Sequence, residues 1–510
     1  MYSQPGSPTH SPLRLPPVLF PNGRGFCKKS SSYIPSDEYF KLSTLDYCVG
    51  QVYTNYALFF KLSDADKTKI VYVLKRGLEV TLSQCRQLCG VLEEHPDGGL
   101  CFHKKRQDTV QFHVQWLDGP DYEGTYPSFD DLEKRHFVSQ ALGNIDTWTV
   151  SPMTYGEKPE AQPASNPKAS AFKASFIRGG VVFMMHHHHY CNDVMGWAGE
   201  LHQLANNCAA IWRSPNAPDL PPWDTSCLDL SRVTKPDPPE NQRIDGLVAP
   251  LRHSDHKVGQ WLLFHLPKRK AAELKRMASP GGSHWISSYD AYMAYIWRML
   301  SKHRAKLFNP DLKQNLLWGE AVDMRRRFCN PPVPQRMQGN VVFVALSTQS
   351  PTPQLTVEEV ISEAPLSKLA WYIRQLTSGV TEESLNIALS AIAPIRNKTA
   401  LFLRTDSFPP MSNITTEWRA TRPCEADFGF GKPHAFRFPF DTVTVGLTVV
   451  YPVRTNNAPA GEDEGNEFSI GFEKELAKDL IEDHEWNHYF EFRGVDAEEK
   501  ADTIGQSRVV

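Results

Sequence analysis

Four consecutive histidines, His186 to His189, are the residues of this sequence best suited to proton-transfer chemistry. An imidazole titrates near neutral pH, so it can take a proton from an alcohol and pass it on. Only His189 has a carboxylate four residues later, at Asp193. Many pairs with this spacing are structural, and Asp193 could either orient the ring or hold the turn. We therefore treat His189 as a candidate general base.

Two other chemistries compete for the same stretch. A run of histidines suggests a metal site, but neighbouring side chains on a strand point to opposite faces, so one face offers at most two imidazoles. Cys191 could be a nucleophile with His189 as its base, although nothing in the sequence indicates a lowered thiol pKa. We predict that this site holds no metal.

The elements around the histidines predict how His189 is held. An apolar run, Val181 to Met185, predicts a buried strand that leads into them. His189 is then expected in a turn, where a side chain can be held rigidly and still meet a substrate. Spacings of three and four predict a core-facing helix stripe after the turn, formed by Trp197, Leu201, Leu204, Cys208 and Ile211.

Two further motifs match known signatures without their usual context. His484-Glu-Trp-Asn-His488 fits the H-E-x-x-H helix of zinc proteases. A third ligand would have to come from the short polar segment that follows, so we interpret the motif as a helix surface. Asp427-Phe-Gly429 matches the kinase D-F-G, but the sequence has neither an H-R-D-type loop nor a glycine-rich loop after a strand. Neither motif assigns a function.

Composition sets the broad class. The 510 residues are enough for two or more domains, and the formal net charge of −3 gives no support for nucleic-acid binding. No apolar run is long enough for a membrane span, and the N-terminus has no apolar signal core. The ten cysteines contain no C-x-x-C pair, which favours reduced thiols in a cytoplasmic protein.

A Pro-rich stretch divides the chain into two halves that each mix strands and helices. This order predicts an α/β (α+β) fold with two similar-sized domains and a ligand site between them. The predicted parts are a flexible tail at 1–32, a first domain at 33–214, a crossover linker at 215–256, a second domain at 257–492 and a C-terminal tail at 493–510.

Several motifs in one order resemble the BAHD acyltransferases, and most closely the fungal branch of that family. The resemblance covers roughly residues 38 to 492. Any one motif is weak, but the ordered set is specific. The motifs are Leu42-Ser-Thr-Leu-Asp46, His188-His189-Tyr-Cys-Asn-Asp193, Trp285 to Trp297, Val322 to Asn340, and Asp427-Phe-Gly-Phe-Gly-Lys-Pro433.

The resemblance implies two chloramphenicol-acetyltransferase-like domains with a channel between them. An acyl-CoA co-substrate, most simply acetyl-CoA, would enter from one side and a small-molecule alcohol from the other, with no permanently bound cofactor. His189 would act as general base for direct attack of the alcohol on the thioester. The resemblance also implies a monomeric enzyme of fungal secondary metabolism.

The resemblance implies structural roles for other motif residues. Asp193 would pair with Arg325, and Asp427 would hold its own loop together with Gly429 and Gly431. Two positions depart from the family pattern: Val194 replaces the usual glycine after Asp193, and Phe430 replaces a tryptophan.

The phosphates of CoA require local positive charge. Lys268, Arg269 and Lys275 belong to a basic cluster at the start of the second half, although a solvated helix face explains each of them equally well. Ser287 and Ser407 fall where the family approaches the pantetheine arm.

Two alternatives remain open at this point. A condensation-type enzyme shares H-H-x-x-x-D but takes acyl groups from carrier proteins. The D-F-G-F-G-K-P loop and the absence of an attached carrier domain in this sequence argue against it. A non-catalytic binding protein on the same scaffold is made plausible by Val194.

Overall fold

The computed structural model describes residues 13–14, 37–63, 66–246, 248–282, 284–454 and 465–499. The predicted flexible tail at 1–32 lies outside these ranges except for Leu13–Arg14. The strands are β1 Leu13–Arg14, β2 Asp37–Lys41, β3 Tyr53–Lys61, β4 Val91–Glu94, β5 Leu100–Lys105, β6 Gln111–Trp116, β7 Ser170–Ile177, β8 Gly180–His188, β9 Gly259–Pro267, β10 Trp318–Asp323, β11 Val342–Leu346, β12 Asn413–Glu417, β13 Ala435–Arg437, β14 Leu447–Val450, β15 Gly465–Glu473 and β16 Glu491–Glu498.

Helices cover the sheets of both halves. They carry apolar stripes at helical spacing, and these stripes are buried. The α-helices are α1 Lys67–Gln84, α2 Phe129–Lys134, α3 Val194–Arg213, α4 Lys268–Ala278, α5 Ser288–Phe308, α6 Leu366–Gly379, α7 Glu382–Ile392, α8 Lys474–Ile481 and α9 His484–Asn487.

The N-terminal half is organised around a six-stranded sheet in the order β1-β6-β7-β8-β3-β13. All nine residues of β8 are buried, as expected for a central strand covered on both faces. β8 pairs antiparallel with β3 from Tyr53 opposite His188 to Lys61 opposite Gly180. Helices α1 and α3 pack against each other in this half. A separate three-stranded sheet, β2-β5-β4, completes it.

The C-terminal half contains a seven-stranded sheet in the order β11-β10-β12-β14-β15-β9-β16. Its two longest strands, β15 and β9, have nine residues each and pair with each other. α5, the longest helix of this half, packs against α4, α6 and α8. The two sheets with their helices form two large apolar cores, one for each half. This mixture of sheets and helices confirms the predicted α/β (α+β) class.

One strand crosses between the halves. β13 belongs by sequence to the range 257–492, but it pairs with β3 in the N-terminal sheet. The predicted boundaries therefore do not describe how this segment packs.

The predicted C-terminal tail at 493–510 is wrong for its first residues. Residues 493–498 belong to β16, which pairs with β9 across two irregularities in register. The polar sequence concealed a strand because β16 is an edge strand whose outer side chains meet solvent. Residues 500–510 lie outside the described part of the chain.

Three segments show where the regular elements end. Helix α1 ends at Gln84, and β4 begins at Val91. Residues 401–403 form a loop. The helical segment after β15 is divided into α8 and α9 because Asp483 accepts hydrogen bonds from the backbone of Glu485 and Trp486, which begins a new helical turn.

Candidate active site

His189 lies in the turn between β8 and α3. The strand ends at His188, a turn covers residues 189–191, and α3 begins at Val194. The backbone N–H of His189 donates to the carbonyl of Val52 at 2.8 Å, which ties the turn to the start of β3. Strand, turn and helix therefore follow in the order predicted from the sequence.

The imidazole of His189 is partly exposed, whereas the other three histidines of the run are fully buried. His188 Nε2 binds the carbonyl of Ala161 at 2.8 Å. His187 Nε2 lies 3.1 Å from a carboxylate oxygen of Glu200. Among the four, His189 is the one whose ring can meet a substrate.

Burial lowers the pKa of His189 below its ordinary value. The carboxylate of Asp193, backbone groups of His189 and Asn192, and the side chain of Asn340 partly offset this effect. The ring is therefore neutral at physiological pH, as a general base must be. Its Nδ1 is buried and makes no hydrogen bond of normal geometry with the described residues.

Both oxygens of Asp193 are engaged away from the histidine ring. Oδ1 accepts a hydrogen bond from the backbone of Gly196 at 2.8 Å and so caps α3. Oδ2 accepts from Arg325 Nη1 at 3.0 Å and from the backbone of Val341 at 2.8 Å. This carboxylate joins the first turn of α3 to the C-terminal half.

The guanidinium of Arg325 is buried, and each of its three nitrogens donates a hydrogen bond. Besides Asp193, it donates to Asp323 Oδ1 at 3.1 Å and to the carbonyls of Met337 and Gly339 at 2.9 and 3.0 Å. Burial opposes the charge, but the two carboxylates hold the pKa of Arg325 above its ordinary value. A buried ion pair with these additional hydrogen bonds holds the turn in one geometry.

Val194 does not disturb this arrangement. It is the first residue of α3, and its φ is not positive. Glycine is required two residues later instead. A Cβ at Gly196 would lie 2.6 Å from Asn192 Oδ1 and 2.9 Å from the carbonyl of Gly339.

Asp46 and Asn340 complete the surroundings of His189, and sequence reasoning assigned neither of them a role. Asp46 Oδ1 accepts from the backbone N–H of Asn340 at 3.0 Å and from its Nδ2 at 2.8 Å. The same Nδ2 donates to the carbonyl of His189 at 2.9 Å. Burial raises the pKa of Asp46 to about 6. Asp46 and Asn340 each belong to one of the family motifs, but these two motifs are almost 300 residues apart, so the sequence did not show that they meet.

The residues expected to bind CoA fall into separate neighbourhoods. The Lys275 ammonium lies 5.7 Å from the ring centre of Trp285, and the Arg374 guanidinium lies 4.9 Å from it. Ser287 caps α5 next to them, with its hydroxyl bonded to Asp290 at 2.9 Å. These residues form a cationic and aromatic surface at the start of α5.

The other predicted CoA residues lie elsewhere. Lys268 and Arg269 are exposed at the opposite end of α4 from Lys275. Ser407 Oγ donates to the carbonyl of Arg404 at 2.7 Å. Arg404 in turn pairs with Glu157 of the N-terminal half at 2.7 Å.

The loop that begins at Asp427 packs on the N-terminal half. Asp427 Oδ1 accepts from the backbone of Gly429 at 2.8 Å. Gly429 has φ +85°, and a Cβ there would lie 2.6 Å from Cβ of Trp212. The ring of Phe430 lies 5.3 Å from that of Phe60, so phenylalanine fills the aromatic position of the motif.

The H-E-x-x-H motif is engaged in surface contacts. His488 is half exposed, and its Nε2 lies 3.1 Å from Glu273. α9, which begins at His484, has only four residues. Within the described ranges, no three His, Cys, Asp or Glu side chains are grouped so that they could hold a metal ion. In the same ranges, no helix is long and apolar enough to span a membrane.

The turn, its ion pair and the two-sheet fold agree with an acyltransferase of the BAHD type. Residues 144–466 match the Transferase family, and residues 52–208 match the trichothecene 3-O-acetyltransferase-like N-terminal domain. The chain therefore belongs to the Transferase family. This membership confirms the predicted family, its fungal branch and the prediction of an acyltransferase enzyme.

Individual relatives agree with this assignment. The chain is 54% identical over 463 residues to Acetyltransferase FGR3 of Gibberella zeae, covering 91% of this chain and 92% of that protein. TRI101 of F. graminearum, solved with coenzyme A and T-2 mycotoxin, superposes with a TM-score of 0.70 at 21% identity, covering 90% of this chain and all of that one. Vinorine synthase gives a TM-score of 0.59 at 18% identity, covering 92% and 95% of the two chains. These structural likenesses show the two-domain fold.

Proposed function

We propose that this chain is an acetyl-CoA-dependent O-acetyltransferase that acylates a hydroxyl of a fungal secondary metabolite. The observation that carries the proposal is the placement of His189. The residue is partly exposed in the turn before α3, while hydrogen bonds hold its backbone N–H and its carbonyl. Burial lowers the pKa of the ring, which favours the form that can accept a proton. Such a residue can accept a proton without moving from its place.

The reaction proceeds by direct transfer. Nε2 of His189 removes the proton of the acceptor hydroxyl while the oxygen attacks the thioester carbonyl carbon, and a C–O bond forms. The tetrahedral oxyanion collapses and the C–S bond breaks. The imidazolium then returns its proton to the departing thiolate. The products are the ester and free CoA, and the histidine is neutral again.

The donor would bind along the C-terminal half. Lys275 offers a cation beside the exposed aromatic face of Trp285. Arg374 also lies over this ring, but its charge is paired with the buried carboxylate of Asp290 in the first turn of α5. These groups suit an adenine ring and phosphates. The proposed set of CoA-binding residues also includes Lys268, Arg269, Ser287 and Ser407. The hydroxyls of the two serines are already bonded within the protein, so we propose that these serines shape the wall along which CoA would lie.

The acceptor is proposed to be a hydroxylated terpenoid, polyketide or alkaloid. The relative FGR3 is named an acetyltransferase, and the TRI101 complexes contain T-2 mycotoxin or deoxynivalenol. We further expect a monomer that acts in the cytoplasm, which size-exclusion chromatography and cell fractionation would test.

The test is release of free thiol from acetyl-CoA in the presence of a panel of such acceptors. Wild type would be compared with His189→Ala and with His113→Ala. His113 is a matched control because it is also a partly buried histidine whose pKa is lowered by burial, but it lies on β6. We expect acceptor-dependent release that is lost in His189→Ala and kept in His113→Ala.

Other outcomes would reject parts of the proposal. Release that persists in His189→Ala would remove this residue as the base. No release with any acceptor, together with no binding of CoA in calorimetry, would favour a protein without this activity.

A further inference from the structure

Asn340 has a buried amide with two engaged hydrogens and a free oxygen. Its side chain is fully buried. The two Nδ2 hydrogens go to Asp46 Oδ1 at 2.8 Å and to the carbonyl of His189 at 2.9 Å. Both acceptors lie on the nitrogen side, so the orientation of the amide is determined. The oxygen Oδ1 then points the other way and has no partner among the described residues.

A second unpartnered polar atom lies in the same neighbourhood. His189 Nδ1 is buried and also makes no hydrogen bond of normal geometry with the described residues. Two complementary buried atoms left unpaired would each cost free energy. Hydrogen bonds at catalytic histidines are often loose in a protein without substrate and tighten in the complex.

From this geometry we infer that Asn340 is a positioning residue that accepts the Nδ1 proton of His189, and that Asp46 holds the Asn340 amide in the orientation that presents its oxygen. This inference rests on the proposed function of His189 as base. A proton held on Nδ1 leaves the lone pair on Nε2, where the acceptor hydroxyl is met.

The electrostatics agree with this arrangement. The side chain of Asn340 is among the groups that raise the pKa of His189 against the effect of burial. Asp46 is 1% exposed and accepts N–H groups from Asn340 and from the backbone of Ser43 at 2.7 Å. In the described part of the chain, Asp193, which is paired with Arg325, and His188 are charged or titratable groups that act on the ring. Asp193 uses both oxygens elsewhere. The backbone of His189 and of Asn192 also contacts the ring, so Asn340 is the side chain that offers it an acceptor with a free lone pair.

The experiment compares Asn340→Ser with the exchanged pair Asp46→Asn/Asn340→Asp. Serine removes the amide oxygen, so we expect kcat to fall about 10- to 100-fold with the KM for acetyl-CoA changed by less than about twofold. The low-pH limb of kcat should also move to lower pH, because a group that favours the protonated ring is gone.

The exchanged pair puts a carboxylate next to Nδ1 and keeps one donor and one acceptor between the two positions, but it removes the donor to the carbonyl of His189. We expect kcat to recover part of the loss and the low-pH limb to move above that of wild type, because a carboxylate favours the imidazolium. Asn340→Asp alone should be the worst variant, since two carboxylates would then meet. If Asn340 had a purely structural role, the low-pH limb of kcat would not move in opposite directions in Asn340→Ser and in the exchanged pair.

Asn207→Ser is the matched control. Asn207 is a buried asparagine of α3 whose Nδ2 also makes two hydrogen bonds, at 2.9 Å to Thr81 and 3.1 Å to Gln84. It should leave kcat and the limb unchanged. Folding of every variant is checked by its thermal midpoint. If turnover requires His189 but the folded Asn340 variants have the same low-pH limb of kcat as wild type, the inference about Asn340 is rejected and the proposed function of His189 stands. If His189→Ala is fully active, the proposed function fails as well.

Discussion

His189 and Asp193 are four residues apart, yet the structure gives them different partners. The ring of His189 is partly exposed, whereas Asp193 uses both oxygens to cap α3 and to hold Arg325 and Val341. Spacing alone left open whether the carboxylate orients the ring or holds the turn. The hydrogen bonds of Asp193 favour the second role.

The pH dependence of turnover tests the state of His189. The proposed base must be neutral to accept a proton, and burial lowers the pKa of His189 below 6.5. Activity should therefore be constant at neutral pH and fall as the pH drops through a midpoint below 6.5. The measurement is kcat/KM as a function of pH, with an acceptor that does not titrate in that range. A midpoint above 6.5 would contradict the assigned environment.

Removing Arg325 tests the ion pair. Arg325→Met leaves the Asp193 carboxylate buried and unpaired, so the free energy of unfolding should fall by about 3–5 kcal/mol. The double variant Asp193→Asn/Arg325→Met should lose less than the sum of the single losses. Urea unfolding measures all three. Arg327→Met, which removes only a hydrogen bond to the carbonyl of Thr377, should cost less than about 1 kcal/mol. Additive losses would show that the pair is not coupled.

The loop after Asp427 is an element that packs against the N-terminal half. Its first turn is held by a hydrogen bond from Gly429 to Asp427, and its aromatic residue packs on β3 through Phe60. The loop comes from the C-terminal half of the sequence but covers the N-terminal sheet. Its sequence motif therefore marks a packing requirement.

Two glycines of this loop give a matched comparison. Gly429→Ala meets both a positive φ of +85° and a contact of 2.6 Å with Trp212, so we expect a loss of about 3 kcal/mol or more. Gly431→Ala meets φ +154° but open space, so strain alone should cost about 1–2 kcal/mol. Chemical unfolding of both variants checks the order. Equal losses would mean that contact with Trp212 does not matter.

At the scale of the whole molecule, segments of the C-terminal half pair with and bind to the N-terminal half. β13 joins the N-terminal sheet, and Arg437 within it forms a fully buried ion pair with Glu467 of β15 at 2.8 Å. Asp496 of β16 accepts from the backbone of Ser139 in the N-terminal half at 2.8 Å. The halves should therefore unfold together.

Asp496 tests this connection. Asp496→Ala removes the acceptor of the buried Ser139 N–H and also that of the Ser469 hydroxyl, so the free energy of unfolding should fall by about 1–3 kcal/mol. Glu498→Ala on the same strand is the control. It removes an exposed pair with Lys474 and should change stability by less than about 0.5 kcal/mol. Both are measured by thermal unfolding followed by circular dichroism and tryptophan fluorescence. Separate transitions for the two probes would contradict a single folding unit.

Local patterns in the sequence determined the features that depend on neighbours along the chain. The buried strand, the turn at His189 and the stripe of α3 could be predicted because periodicity follows from the geometry of strands and helices. The ordered motifs determined the family. Periodicity failed where tertiary contacts override it, as in the polar edge strand β16.

Only the tertiary structure decided which distant residues meet. Asp46, His189 and Asn340 lie in three parts of the chain, and hydrogen bonds join them. The pairing of β13 with β3 in the other half of the chain likewise depends on packing. A contact between residues far apart leaves no periodic trace in one sequence, because its register is set by the cores that form around it.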